Sequence, residues 1–81
     1  MYLLLCRSLT YAQRSEKLLV RKGITATITK APREAAENGC SYCLRISTRY
    51  KNAALETLQQ AGLSPKRVFL MDNGHITEAV L

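Results

Sequence analysis

Chemistry in this chain concentrates in the run Asn38-Gly39-Cys40-Ser41-Tyr42-Cys43-Leu44-Arg45. Thiolate sulfur is the strongest nucleophile and the softest metal ligand among protein side chains. Asn38-Gly39 is a turn signal, so Cys40 sits on or beside a turn, where solvent reaches it. Arg33 and Arg45 lie on either side in sequence. Either could stabilise a thiolate, because nearby cations lower a free thiol's pKa of about 8.5 by several units. Glu34 and Glu37 act in the opposite direction. The plain alternative is a small buried hydrophobe at a strand entrance.

Cys43 completes a C-x-x-C pair. On a turn such a pair meets; on an extended strand it spans roughly 10 Å, beyond the ~7 Å Cα limit of a disulfide, and its side chains alternate faces. The two thiols therefore act as a redox or metal couple only if the strand begins after Ser41. Otherwise they act separately, and Cys43 is an ordinary sheet-face residue. A soft-metal site for Cu(I) or Zn(II) at Cys40 and Cys43 is incomplete, since structural zinc needs four ligands. His75, the only histidine, lies in a Gly-containing turn far along the chain, and Cys6 falls inside an apolar strand.

Other chemistries have less to build on. There is no Gly-rich phosphate loop, no paired carboxylate and no His–carboxylate pattern. RNA recognition on a sheet needs stacking aromatics on its central strands. The third strand offers only Tyr42, on the core-facing parity, so nucleic acid is not the expected partner. The chain has 81 residues and net charge +6, from twelve Lys and Arg against six Asp and Glu. That excess favours anionic partners, but it is spread thinly, without a block of five or six basic residues. Three cysteines is an odd number, which fits reduced thiols better than a disulfide framework. The opening Met1-Tyr2-Leu3-Leu4-Leu5-Cys6 has no preceding basic region and stops at Arg7, so it reads as a buried strand and the protein as cytoplasmic, with no membrane partner.

The elements that must position the thiols follow from period and punctuation. Residues 2–7 have strand length. Ser8 offers an N-cap, Tyr11, Ala12, Ser15, Leu18 and Leu19 recur at helical spacing, and Gly23 ends the helix. Residues 24–29 alternate, with Ile24, Ala26 and Ile28 on one face and three threonines on the other. Residues 31–40 read as a loop, with one helical turn through Glu34-Ala35-Ala36-Glu37. Residues 42–46 form a third strand, with Tyr42, Leu44 and Ile46 on one face and Cys43 and Arg45 on the other. Ser47 or Thr48 caps a second helix with the stripe Tyr50, Ala54, Leu55, Leu58 and Ala61, closed by Gly62. Residues 67–71 form a fourth strand. The pattern predicts one ferredoxin-like α+β domain over 1–72: a βαββαβ sandwich whose four-stranded antiparallel sheet carries both helices on one face. Residues 73–81 follow as a frayed tail or an added edge piece. The first strand is apolar on both sides, so the second sheet face either makes a dimer or is capped by that tail.

The order and spacing of these features resemble the bacterial family described as putative selenium/sulfur (Se/S) carrier protein-like. The likeness runs from Met1 to about Asp72. It rests on the opening strand with Ser8, Glu16-Lys17-Leu18-Leu19 leading to Gly23-Ile24, Pro32-Arg33-Glu34, Gly39-Cys40-Ser41, Leu44-Arg45 and Ala61-Gly62-Leu63. The resemblance implies that Cys40 is the carrier atom and that Pro32 and Arg33 sit in the loop before it, with Gly39 helping to position that loop. Cys43 departs from the family's commoner pattern, which has a small residue there.

The resulting expectation is a carrier or accessory protein, rather than a turnover enzyme, that holds sulfur or selenium on Cys40 as a persulfide or selenopersulfide. Arg33 and Arg45 would steady the thiolate and Cys43 would resolve it. No cofactor is implied beyond the covalently carried atom. The partners would be a donor, such as a cysteine desulfurase, and an acceptor protein. The alternatives are a non-catalytic interaction or regulatory module that homodimerises through the open sheet face, and the soft-metal site.

Overall fold

The computed structural model describes residues 1–33 and 41–79. The elements run β1 (Tyr2–Cys6), α1 (Leu9–Arg21), β2 (Ala26–Lys30), β3 (Tyr42–Ile46), a 3-10 turn (Thr48–Tyr50), α2 (Lys51–Gln60), β4 (Arg67–Asp72) and β5 (His75–Ala79). One antiparallel sheet holds the strands in the order β2-β3-β1-β4-β5. The α+β class holds, with two helices on an antiparallel sheet. The expected four strands are corrected to five: the segment after Asp72 returns along β4 as β5. Asn73 and Gly74 have φ of 51° and 81°, the positive values that a two-residue hairpin turn demands.

Local chemistry explains both helices. Ser8 Oγ accepts from the Tyr11 N–H at 3.3 Å and so satisfies one of the first-turn donors. At the other end Gly23 takes φ +83°, and Ile24 N–H reaches back to the Leu19 carbonyl at 2.8 Å. Helix α2 closes identically: Gly62 has φ +73° and Leu63 N–H donates to the Leu58 carbonyl at 2.8 Å. These are paired Schellman closures, in which the left-handed residue is glycine because a Cβ would be strained there. Ser47 precedes the 3-10 turn, but its side chain makes no capping bond.

The sheet has two apolar faces. On one, Leu4, Cys6, Ala26, Leu44, Ile46 and Val68 pack against Ala12 and Leu19 of α1 and Ala54 and Leu58 of α2. Tyr11 and Ala61, expected in the helix stripes, are instead exposed. On the other face Leu3, Leu5, Cys43 and Phe69 form a second cluster, with Ala31, Met71 and Ile76 packed against it. Leu3, Leu5 and Phe69 are each no more than 3% exposed. Part of that cover comes from Arg67, whose guanidinium lies 5.0 Å from the Phe69 ring centre and pairs with Glu78 of β5, Nε to Oε2 at 2.9 Å. The apolar second side of β1 is therefore buried within one chain.

Candidate functional site

The strand register sorts the cysteines. Along β3, Cys43 stands opposite Leu5 and Thr29, whereas Tyr42 stands opposite Cys6 and Lys30. Cys6 therefore belongs to the helix-covered face and Cys43 to the second cluster. Both are free thiols. Cys6 is 7% exposed and Cys43 0%. Burial is the largest influence on each. It pushes the Cys6 thiol up to about 12, reinforced by neighbouring Cys43 and opposed by the backbone at Leu44, and pushes Cys43 up to about 11. A neutral, desolvated thiol is a poor nucleophile. Cys43, expected as a resolving thiol, is thus held away from solvent.

Cys40 and Gly39 lie outside the described residues, as do Glu34 and Glu37 and the helical turn expected there. Their attachment is nevertheless well defined. Ala31 N–H donates to the Ser41 carbonyl at 2.9 Å, extending the β2–β3 ladder to the base of the segment that joins Arg33 to Ser41. Pro32 is half-buried and Arg33 exposed at that base.

This end of the sheet is rich in cations. Arg7 follows the last residue of β1, Lys30 ends β2, and Lys66 N–H donates to the Leu5 carbonyl as β4 enters. Arg7, Lys30, Arg33 and Lys66 are all exposed. The N-terminus of α1, which carries a partial positive charge, starts at the same end. Of the described carboxylates, Glu16 and Glu56 lie within the helices and Asp72 at the far turn, while Glu78 reaches toward this end through its pair with Arg67. Sequence reasoning named only Arg33 from this group. Arg7, Lys30 and Lys66 are separated along the chain, and only the antiparallel topology gathers them.

Arg45, expected to steady the Cys40 thiolate, lies toward the other end of β3. It stands three strand residues beyond Tyr42, about 10 Å further along β3. There it lines a hollow with Met1, Thr25, Thr27, Ser47 and Thr48 at the opposite end of the sheet. No three His, Cys, Asp or Glu side chains converge on a metal geometry among the described residues.

The chain matches the family described as Putative Se/S carrier protein-like across residues 1–70. It belongs to this family. The match takes in β1 through most of β4 and includes both Cys40 and Cys43. No curated protein and no solved structure matches the chain. In this member of the family, Cys6 and Cys43 are buried, and burial holds both thiols protonated. No helix among the described residues is long and apolar enough to cross a membrane.

Proposed function

We propose that this protein carries sulfur or selenium covalently on Cys40. The family match over residues 1–70 carries this reading. The burial of Cys6 and Cys43 supports it, because a desolvated, protonated thiol is a poor nucleophile and neither is placed to carry the cargo itself. Arg33, Arg7 and Lys30 favour the anion at Cys40, with Pro32 and Gly39 shaping the loop that presents it. Arg45 contributes through the general positive field rather than by contact.

The transfer is redox-neutral. The Cys40 thiolate attacks the outer sulfur of a donor persulfide; the new S–S bond forms on Cys40 as the donor's S–S bond breaks, and the donor cysteine leaves as a thiolate. An acceptor thiolate then attacks the same outer atom and Cys40 leaves in turn. A selenium atom follows the same two displacements. The donor is a desulfurase-type enzyme carrying a cysteine persulfide, and both partners are met in a reducing cytoplasm. Cys43 enters only if the second cluster opens: its thiolate would then attack Cys40 Sγ, forming a Cys40–Cys43 disulfide as the bond to the outer atom breaks and that atom leaves as hydrosulfide or hydroselenide.

Intact-mass measurement after incubation with a persulfide donor tests the reading. The wild-type chain gains the mass of one sulfur, and Cys40→Ala gains none. An unloaded wild type, or equal loading of Cys40→Ala, overturns it.

A further inference from the structure

The hollow around Arg45 is left over by the sulfur chemistry, and its lining has a definite character. It has a volume of about 320 Å³ and is bounded by Met1, Thr25, Thr27, Arg45, Ser47 and Thr48. Four parts of the chain meet there: the residue before β1, the entry and body of β2, the end of β3, and the turn that leads to α2. Thr27 and Arg45 are direct cross-strand partners, so their side chains rise side by side from the same face. The Ser47 hydroxyl sits in a capping position yet caps nothing. Thr48 Oγ1 accepts from the Met1 amino group at 2.6 Å, which leaves its own O–H to donate. Arg45 makes no ion pair among the described residues, and no carboxylate lines the hollow.

We infer that this hollow binds a tetrahedral oxyanion of the phosphate class. A guanidinium offers two parallel N–H donors to one edge of such an anion. The four hydroxyls come from two stretches of chain, Thr25 and Thr27 at β2 and Ser47 and Thr48 after β3, and so offer donors to the remaining oxygens of a tetrahedron as well as to the edge the guanidinium holds. The space also admits a small group attached to the phosphate, so a free phosphate and a phosphomonoester share the same recognition chemistry. The site is at the opposite end of the sheet from the segment that bears Cys40, and it stands or falls independently of sulfur transfer.

The test is a titration of the ¹⁵N-labelled chain at fixed pH and ionic strength, with inorganic phosphate, O-phosphoserine and acetate in separate arms. Saturable amide shifts are expected at residues 25, 27, 45, 47 and 48 with phosphate. A tighter response to O-phosphoserine identifies a phosphomonoester as the preferred source, and a tighter response to phosphate identifies the free ion. Arg45→Gln should weaken binding at least tenfold while keeping a dispersed, folded spectrum. Ser47→Ala, which removes one exposed hydroxyl, should weaken it severalfold and guards against misfolding of the arginine variant. The inference is overturned if acetate matches phosphate, if both variants bind like wild type, or if the shifts map to Arg7, Lys30 and Arg33 instead.

Discussion

On the adjacent inner strands β1 and β3, Cys6 and Cys43 project from opposite faces into two apolar clusters. Where β2 and β3 are joined, the chain presents Arg7, Lys30, Arg33 and Lys66 to solvent. The same side chain has opposite prospects in these two regions. Inside, desolvation holds the proton on sulfur. On the proposed reading, cations at the sheet end would favour losing it from Cys40. The difference teaches that the cysteine count of this chain is a poor guide to its chemistry; strand parity and topology decide which sulfur is available.

The comparison breaks most visibly in stability. Leu4 is wholly buried at the centre of the helix-covered cluster. Leu4→Ala should cost about 2–5 kcal/mol in urea unfolding, whereas Arg33→Ala at the sheet end should change stability by less than about 0.5 kcal/mol. Equal losses would mean that the two regions are not physically distinct.

Cys43→Ser sharpens the contrast within the interior. It places a hydroxyl in a fully buried apolar site and should cost about 1–3 kcal/mol, with sulfur loading retained. A stable serine variant would show that Cys43 is wetter than its 0% exposure indicates.

Alkaline pH separates the regions again. In the unfolded chain both interior thiols ionise near 9.0, but in the folded chain they hold their protons to about 12 and 11. Between these values the folded state binds more protons, so this stabilisation is complete below pH 9 and is lost as pH rises toward 11–12. Unfolding followed across that window should show a steeper loss in wild type than in Cys43→Ala.

The smallest effect concerns the rim of the second cluster. Arg67 and Glu78 are partly exposed, so Glu78→Gln should cost under about 1 kcal/mol, and less at high salt.

Much of this arrangement was legible before any coordinates. The alternation of Ile24, Ala26 and Ile28 against three threonines and the parity of Tyr42, Leu44 and Ile46 are strong periodic signals, and Gly23 and Gly62 mark the two helix ends. β5 was foreseen only as one of two alternatives, an added edge piece rather than a frayed tail, because Ile76-Thr77-Glu78-Ala79 is short and only weakly apolar. Its stability comes from pairing with β4, although Asn73-Gly74 already held the hairpin signal. The face of Arg45 followed from its parity in β3. The cationic end was invisible because its residues come from three separate segments, which only the antiparallel topology gathers.

The most direct measurement is the pH dependence of alkylation at each of the three thiols, read by peptide mass spectrometry on the folded protein. Cys40 should react fastest, with a midpoint below the ordinary thiol value of about 8.5, while Cys6 and Cys43 stay protected until far more alkaline pH. A Cys40 midpoint at or above that value, or faster labelling of Cys43, would contradict the assignment of the carrier atom.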